Sequence, residues 1–227
     1  PSYRTHVYRV VFLAAGRGAR IRPLSDTTPK PLLPIAGVPI LERNLKALPS
    51  EVADIIIVVG YLGEQIKNRF GTSFGSRPIR YVDQPKLRGT ADALWQTRTL
   101  LREPFLVGNG DDLYTARDFS RLIAAPAPAM LAAEVPNARR VGVLRENPEG
   151  FFAGIEPPGA HDHGLVAAGL YFLDERILNY EPAPIKDGAE FGLPQTIERM
   201  ARDVPVRIVR TDTWHSITTP EDLERIA

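Results

Sequence analysis

The first half of the chain alternates apolar runs of strand length with segments in which apolar residues recur at helical spacing. The uninterrupted apolar run from Val10 to Ala15 predicts a buried strand of a parallel sheet. Further along, Ala91, Leu94 and Leu101 fall on one helical face. The predicted strands of this half cover residues 7–14, 54–59, 78–82 and 105–108, and its predicted helices cover residues 39–48, 63–70 and 91–101. The alternation predicts an α/β fold: a doubly wound, Rossmann-like mixed sheet with helices on both faces.

The second half has shorter and less regular elements. A connector rich in proline and alanine covers residues 124–129, and the Pro-Ala-Pro stretch at 182–184 predicts a loop. The predicted strands cover residues 130–134, 142–145, 152–156, 166–173 and 204–209, and the predicted helices cover residues 193–201 and 220–226. Because the 227 residues are 44% hydrophobic without a break in composition, we expect one domain over residues 1–227.

Composition excludes several classes of function. The 28 basic and 27 acidic residues give a net charge of +1, which provides no basic footprint for nucleic acid. With 0 cysteines there is neither a disulfide framework nor a thiolate zinc site, and we expect a cytoplasmic protein. Apolar runs such as residues 55–59 have the length of strands, so we expect no association with a membrane.

A loop rich in glycine and arginine follows the first predicted strand, where residues 13–24 read L-A-A-G-R-G-A-R-I-R-P-L. Glycine lets backbone N–H groups approach phosphate oxygens, and a planar guanidinium binds phosphate with two hydrogen bonds. The loop is not a dinucleotide fingerprint, because Ile21 occupies the third small position, and it lacks the Gly-Lys-Ser/Thr of a P-loop. A lone lysine, Lys30, then lies between Pro29 and Pro31. The pattern predicts a cradle for a nucleoside triphosphate.

Residues 13–24, together with P-K-P-L-L-P at 29–34, resemble the signature of the nucleotide-sugar pyrophosphorylases, or sugar-1-phosphate nucleotidyltransferases, of the small single-domain type. The resemblance implies the nucleotide-diphospho-sugar transferase type of fold, with a nucleotide-binding half up to about residue 115 and an acceptor-binding half from about residue 116. It also implies that Arg20 holds the leaving pyrophosphate and that Lys30 bridges the α-phosphate and the incoming phosphate. The residues of this loop expected to bind the nucleotide are Leu13, Ala14, Ala15, Gly16, Gly18 and Arg20.

A second segment, Q-P-K-L-R-G-T-A-D-A-L at 84–94, resembles the family's frame for the nucleobase. The carboxamide of Gln84 offers a donor and an acceptor, which suits the imide edge of uracil or thymine. Gly89 permits the close approach of a planar ring. We therefore expect Gln84, Gly89 and Thr90 to bind the nucleotide, with Thr90 also acting as the N-cap of the following helix.

Two adjacent carboxylates, Asp111 and Asp112, follow the predicted strand at 105–108 and resemble the family's metal site. Triphosphates travel with Mg²⁺, which usually takes only one or two protein carboxylates. Because neighbouring residues on an extended chain point to opposite faces, we expect Asp111 to bind Mg²⁺ and Asp112 to hydrogen-bond a turn. Arg20, Lys30 and Asp111 are the catalytic residues that the resemblance implies.

The second half departs from the family pattern at functional positions. Relatives often carry E-K-P where this chain has Glu156 and Pro157, so the lysine for the acceptor's phosphate is missing. Ser216 and Thr218 stand at the two positions where relatives place the second metal-binding side chain. An A-G-x-Y match places Gly169 against the acceptor. The residues expected to bind the acceptor are Asn109, Glu156, Gly169 and Glu190.

The departures leave alternatives for both missing groups. Either Arg139, Arg140 or Arg145 takes over the acceptor's phosphate, or the acceptor is held differently from a standard hexose phosphate. At the metal, His215 or Asp212 would compensate. Imidazole suits transition metals better than magnesium.

The resemblance implies transfer of a nucleotidyl group from a nucleoside triphosphate, UTP or dTTP, to a sugar-1-phosphate, with release of pyrophosphate. Small-molecule substrates are thus the expected partners, and the oligomeric state is not predicted. Two alternatives remain open at this point. One is a cytidylyltransferase acting on a small phosphorylated alcohol, and the other is a regulatory paralogue that binds nucleotide without turnover.

Overall fold

The computed structural model describes residues 7–102, 104–185 and 188–226. Its strands are β1 Tyr8–Ala14, β2 Pro34–Ile35, β3 Val38–Pro39, β4 Val52–Val59, β5 Ser73–Phe74, β6 Arg77–Asp83, β7 Phe105–Asn109, β8 Ala129–Val135, β9 Val143–Glu146, β10 Phe152–Glu156, β11 Gly164–Leu173, β12 Ala183–Ile185, β13 Glu190–Gly192 and β14 Arg207–Thr211. Its α-helices are α1 Ile40–Lys46, α2 Gly63–Phe70, α3 Thr90–Trp95, α4 Ala116–Ala124, α5 Leu193–Met200 and α6 Pro220–Ile226. None of the helices in these ranges combines the length and apolarity that crossing a membrane requires.

One eight-stranded sheet includes strands from both halves of the chain, in the order β14-β8-β11-β7-β1-β4-β6-β5. The central strand β1 is parallel to its neighbours β4 and β7, and β4 is parallel to β6. The long strand β11 is antiparallel to both β7 and β8, which makes the sheet mixed. The carboxyl ends of β1, β4, β6 and β7 therefore meet at one edge, where parallel α/β sheets bind their ligands.

The apolar residues of the sheet divide between two cores because successive side chains of a strand point to opposite faces. Val11 and Leu13 of β1 pack with residues of α3 and α5 in one core. Val10, Phe12 and Ala14 pack with residues of α1, α2 and α4 in the other. This arrangement confirms the predicted doubly wound sheet with helices on both faces.

The helix predicted over residues 91–101 is shorter than expected. The α3 helix ends at Trp95, and Arg98–Leu100 form a separate 3₁₀ turn. Thr97 is buried, and its backbone N–H and hydroxyl both donate to the carbonyl of Leu94, at 2.9 and 2.7 Å. A threonine hydroxyl that bonds back to the preceding turn competes with regular helical geometry, and this contact ends the helix.

The Pro-Ala-Pro stretch is not only a loop, as the sequence suggests. Ala183 and Pro184 belong to β12, which pairs antiparallel with β13 and places Pro184 opposite Phe191. Each strand of a two-stranded ribbon has an unpaired edge, so a proline without an N–H is tolerated there. The ribbon matters for the site because β13 reaches it.

The apolar patterns above do not include α4, although its start carries a sequence signal. The N–H of Asp118 donates to the hydroxyl of Thr115 at 3.4 Å, and the carboxylate of Asp118 accepts from the N–H of Thr115 at 2.8 Å. This reciprocal pair is a capping box, which a Thr-x-x-Asp spacing can predict.

Candidate active site

A cavity of about 640 Å³ opens at the carboxyl edge of the sheet, beside the ends of β1 and β7. This volume lies within the usual range for small-molecule sites. Its walls come from the loop after β1, the loop between β6 and α3, the turn after β7, and two segments of the second half. The predicted site residues that line it are Leu13, Ala15, Gly16, Gly18, Arg20, Lys30, Gln84, Gly89, Thr90, Asn109, Asp111 and Glu190.

The loop after β1 is shaped by Gly18, whose φ of +63° lies in the left-handed region. A Cβ at this position would lie 3.2 Å from the Cβ atoms of both Lys30 and Ser25. The hydroxyl of Ser25 donates to the carbonyl of Gly18 at 2.8 Å and closes the loop. Ile21 is fully buried in a small apolar cluster with Ile217. Ile21, whose bulk excludes a dinucleotide fingerprint, therefore anchors the loop to the core.

The three arginines of this loop take different positions. Arg17 and Arg20 line the cavity, and the guanidinium of Arg17 lies 5.2 Å from the ring centroid of Tyr61, within cation–π range. Arg22 instead pairs with Asp26 at 2.8 Å. Two of the three guanidinium groups thus add positive charge to the cavity wall.

Lys30 and Asp111 form an ion pair at the cavity. The Nζ atom of Lys30 donates to Oδ2 of Asp111 at 2.8 Å. The side chain of Lys30 is 9% exposed, and that of Asp111 is 36% exposed. A buried ammonium needs a compensating charge, which Asp111 provides, while Asp111 stays accessible to a ligand. The structure thus brings two of the predicted catalytic residues into contact.

Asp112 has quite different surroundings from its neighbour. The residue is 7% exposed, and its Oδ2 accepts from Nδ2 of Asn109 at 3.1 Å. Burial, followed by the negative charge of Asp111, raises the pKa of Asp112 to about 6. Its backbone carbonyl accepts from Nδ2 of Asn44 at 2.7 Å. Asp112 therefore fastens the turn after β7, and Asp111 is the carboxylate of this pair that lines the cavity.

Gln84 opens the loop between β6 and α3, and its backbone N–H donates to the carbonyl of Val59 at 2.8 Å. Its side chain lines the cavity, although the residue is only 5% exposed. The Nε2 atom donates to the carbonyl of Gly89 at 3.1 Å and to Oδ2 of Asp92 at 2.8 Å. The orientation of the carboxamide is thus fixed by the protein.

Thr90 does not cap α3, so that part of its predicted role is wrong. The N-cap residue is Gly89, and no side chain caps this helix. Thr90 already has helical conformation, and its hydroxyl accepts from the N–H of Leu193 at 2.9 Å. The hydroxyl therefore joins the start of α3 to the start of α5. Next to it lies the loop between β6 and α3, residues 84–89, which is called the base loop below.

The β13 strand packs directly on the base loop. The N–H of Phe191 donates to the carbonyl of Arg88 at 2.7 Å, and the guanidinium of Arg88 lies 4.8 Å from the ring centroid of Phe191. A Cβ on Gly89 would clash with the carbonyl oxygen of Phe191 and lie 2.8 Å from its nitrogen. Because Gly89 also has a φ of +92°, only glycine suits this contact. The contact brings Glu190 to the cavity.

Three predicted site residues lie outside the lining of the cavity as the described residues form it. Ala14 is buried at the end of β1. Gly169 of β11 has a φ of +73°, and a Cβ there would clash with the side chain of Asn109, so this glycine lies behind the cavity wall. Glu156 pairs with His161 at the end of β10. The binding roles of these three residues stay predictions.

The substitutes predicted for the missing groups lie elsewhere. Arg139 pairs with Asp162 at 2.6 Å, and Asp212 faces Arg117 at 3.7 Å. The five candidates that do not line the cavity formed by the described residues are Arg139, Arg140, Arg145, Asp212 and His215.

The segment before α6 contributes one residue, Thr218, to the cavity lining. His215 and Leu113 exchange two backbone hydrogen bonds, of 3.0 and 3.2 Å, which join this segment to the turn after β7. Ile217 is fully buried, and the hydroxyls of Ser216 and Thr218 lie 3.2 Å apart. Thr218 lines the cavity, whereas Ser216 does not.

The residues present fit a magnesium ion that arrives with a triphosphate. Among the described residues, no three His, Cys, Asp or Glu side chains come together as a metal cage. Mg²⁺ keeps several waters and takes phosphate oxygens, so it needs few protein ligands. The exposed carboxylate of Asp111, next to a cavity of nucleotide size, meets that need.

The cavity also includes residues outside the predicted set, among them Leu87, Ala93 and Thr218. Leu87 and Ala93 are apolar residues of the 84–94 motif, and apolar side chains there suit the face of a nucleobase. The sequence predicts no binding role for Thr218, because this position is noticed only as a departure from the family pattern.

Together, the parallel strands and the cavity at their carboxyl ends define an α/β protein with a candidate small-molecule site at the edge where such sheets bind ligands. The family model for nucleotidyl transferases matches residues 9–227, and the chain belongs to this family. The resemblance to sugar-1-phosphate nucleotidyltransferases is thereby confirmed.

Three known proteins illustrate what this chain is similar to. The chain is 28% identical over 216 residues to the bifunctional protein GlmU of Methanocaldococcus jannaschii, a match that covers 94% of this chain and 52% of GlmU. It therefore spans about half the length of that relative. It is 31% identical over 227 residues to UTP–glucose-1-phosphate uridylyltransferase AglF of Haloferax volcanii, covering 94% and 93% of the two chains. A solved UDP-glucose pyrophosphorylase complexed with UDP-glucose shares the fold, with a TM-score of 0.79, 20% identity and 97% of each chain covered.

Proposed function

We propose that this protein transfers a nucleotidyl group from UTP or dTTP to a sugar-1-phosphate and releases pyrophosphate. The observation that carries the proposal is the ion pair of Lys30 and Asp111, 2.8 Å apart, in a cavity bordered by the glycine loop and by Gln84. Nucleotidyl transfer asks chiefly for positioned substrates and neutralised phosphate charge. Membership of the nucleotidyl transferase family supports the reaction class, and the name of AglF supports a uridine nucleotide.

The nucleotide occupies the side of the cavity formed by the first half of the chain. Its triphosphate lies along the loop that contains Gly16 and Gly18, and its base lies at Gln84 and Gly89. Arg20 binds the pyrophosphate that leaves, because it lines the cavity and its guanidinium suits two phosphate oxygens. This arrangement separates base recognition from phosphate binding.

The sugar-1-phosphate enters from the side of Asn109 and Glu190, both of which line the cavity. An oxygen of its phosphate attacks the α-phosphorus of the nucleotide in line. The new bond joins that oxygen to the α-phosphorus, and the bond from the α-phosphorus to the bridging oxygen of the β-phosphate breaks. Lys30 lies where negative charge from both phosphates meets and neutralises it. Pyrophosphate leaves with the electron pair of the broken bond, so no covalent enzyme intermediate is required.

Asp111 is the residue that would hold Mg²⁺, with the remaining ligands supplied by phosphate oxygens and water. When bound, the ion neutralises triphosphate charge and orients the α-phosphate. The ion pair also implies that Lys30 must share Asp111 with the cation or move toward the phosphates. Either arrangement keeps the ammonium beside the reacting atoms.

The reaction is tested by incubating the protein with Mg²⁺, each common nucleoside triphosphate and a panel of sugar-1-phosphates and phosphorylated alcohols, while pyrophosphate release is followed. We expect release with UTP or dTTP and one of the sugar phosphates. Release only with CTP and phosphorylated alcohols would replace the proposal with the cytidylyltransferase. Absence of nucleotide binding by calorimetry would overturn every nucleotide-dependent function at once.

A second candidate is a nucleotide-binding regulator without turnover, and the neutral Thr218 favours it. Thr218 lines the cavity at a position where a carboxylate would offer a second metal ligand. Restoring the carboxylate with Thr218→Asp distinguishes the two functions. If the wild-type protein binds UTP but is silent and Thr218→Asp gains turnover, the regulator is correct. Turnover by the wild-type protein excludes it.

A further inference from the structure

Gln84 and Asp92 form a hydrogen-bonded pair at the base end of the cavity. Resting on the proposed function, we propose that Asp92 is a positioning residue for base selection. It turns the carboxamide oxygen of Gln84 toward the nucleobase, so that the site selects a base with a ring N–H, as in uracil and thymine, over cytosine. Asp92 acts through Gln84 and does not touch the base itself.

The Nε2 atom of Gln84 has no hydrogen left for a ligand. It donates to the carbonyl of Gly89 at 3.1 Å and to Oδ2 of Asp92 at 2.8 Å. A primary amide has two N–H donors, and both are used here. The nitrogen end of the amide is thus committed to the protein.

The reversed amide is excluded by the same two contacts. Turning the group around would place Oε1 of Gln84 against a carbonyl oxygen and a carboxylate oxygen, neither of which can donate. Both partners therefore favour the same orientation of the amide. The oxygen of Gln84 therefore faces away from Asp92.

That oxygen is available to a ligand. Gln84 lines the cavity, and within the described residues its Oε1 receives no hydrogen bond and is not sealed from solvent. A carboxamide oxygen accepts and cannot donate. The group that fits against it is an N–H of the ligand.

Both acceptors that bind Nε2 of Gln84 lie at the start of α3. The carbonyl of Gly89 also accepts from the N–H of Ala93 at 3.1 Å at the start of α3, and Asp92 lies in the first turn of that helix. On the other side, the backbone of Gly89 packs against Phe191. The pair is therefore a fixed element of the base site, and a base must match it.

Uracil and thymine carry an N–H at ring position 3, whereas the same ring atom of cytosine is an acceptor. An acceptor facing an acceptor leaves both groups without a partner, which is the strongest form of hydrogen-bond discrimination. UTP and CTP have the same size and charge, so the ratio of their affinities reports on the hydrogen-bonding edge of the base. The ratio of their dissociation constants is the quantity that Asp92 controls.

The test measures the dissociation constants of UTP and CTP by calorimetry, with Mg²⁺ and without an acceptor, for the wild-type protein and Asp92→Asn. Asparagine can present its own N–H to Gln84, which replaces one of the two contacts against the reversed amide with a favourable one, and the reversed Nε2 can donate to cytosine. We expect the preference for UTP over CTP to fall at least about tenfold. Asp92→Ala, which leaves only Gly89 to orient the amide, is expected to lie between the two.

Asp83→Asn is the matched control, since Asp83 immediately precedes Gln84, is exposed and pairs with Lys67 at 3.1 Å. It removes the same charge without touching the amide, so the ratio should not change. Equal weakening of UTP and CTP by Asp92→Asn and Asp92→Ala would show a merely structural role and overturn the proposal. Failure of the wild-type protein to bind either nucleotide would overturn the proposed function as well. Should Asp92→Asn not fold, as judged by its melting curve, the ratio for Asp92→Ala decides.

Discussion

The two halves of the chain contribute to the cavity in different ways. In the first half, the lining residues lie at the carboxyl ends of strands of the parallel sheet or in the segments that follow them, and the register that sets Leu13 opposite Asn109 holds the ends of β1 and β7 together. The second half contributes Glu190 and Thr218, on segments that dock onto the first half. One segment is fastened to Arg88 and the other to Leu113. The sheet therefore positions the nucleotide side, and docking contacts position the acceptor side.

The largest effect is expected from Lys30→Ala, which removes the cation on the sheet-positioned side. Lys30 is buried beside Asp111 and supplies charge neutralisation that water cannot replace at the same place. We expect kcat/KM for pyrophosphate release to fall about 10²–10³-fold, the magnitude typical of removing one preorganised electrostatic group. Steady-state kinetics with UTP and the identified sugar phosphate measure this loss.

The control for this variant is Lys46→Ala, which removes a lysine that is 56% exposed and pairs with Glu42 on α1. Its kcat/KM should match that of the wild-type protein. A fall of similar size in both variants would mean that net charge matters and that the Lys30–Asp111 contact does not.

The next effect tests the docking of the two halves through Gly89→Ala. The new Cβ would meet the backbone of Phe191, and the φ of +92° adds strain of its own. We expect the free energy of unfolding to fall by about 3 kcal/mol, as measured with urea. Gly159 has a φ of +90°, and a Cβ added there would have nothing within 4 Å, so Gly159→Ala reports the strain alone, at about 1 kcal/mol. Equal losses for both variants would show that the contact with β13 adds no stability.

The difference between the halves also explains what the sequence can predict. Near Leu13 and Asp111 the local pattern of a strand followed by a polar turn is enough, because the sheet converts sequence order into spatial proximity. The buried strands likewise follow from the apolar runs along the chain. These features need no knowledge of distant contacts.

Contacts between segments that are distant in the sequence are not predicted by such local patterns. The bond from Leu193 to Thr90 spans 103 residues, and no local spacing signals it. The same holds for Pro184, which pairs with Phe191 although Pro-Ala-Pro indicates a loop. That Thr218 lines the cavity and Ser216 does not is equally without a local signal, because the two residues flank the buried Ile217 alike. Sequence reasoning is weakest where the two halves meet.

A smaller effect distinguishes the two glutamates that the sequence predicts to bind the acceptor. Glu190 lines the cavity, whereas Glu156 pairs with His161 away from it. We expect Glu190→Gln to raise KM for the sugar phosphate about tenfold, because one charge-assisted hydrogen bond is weakened. Glu156→Gln should leave the same KM within about twofold. Both are measured at saturating UTP, and a larger effect of Glu156→Gln would place the acceptor outside this cavity.

The smallest effect concerns the hydroxyl of Thr90, which accepts from the N–H of Leu193 at 2.9 Å and joins the start of α3 to the start of α5. Thr90→Val keeps the shape of the side chain and leaves that N–H without its acceptor, at a cost of about 1 kcal/mol. Amide hydrogen exchange at Leu193 should therefore accelerate about fivefold, while amides in the middle of β1 stay protected. Thr90→Ser retains the hydroxyl and should exchange as the wild-type protein does. If Thr90→Val leaves the exchange of Leu193 unchanged, the Phe191–Arg88 contact is the one that joins the loop between β6 and α3 to this segment, and the position of Glu190 depends on the ribbon and not on α5.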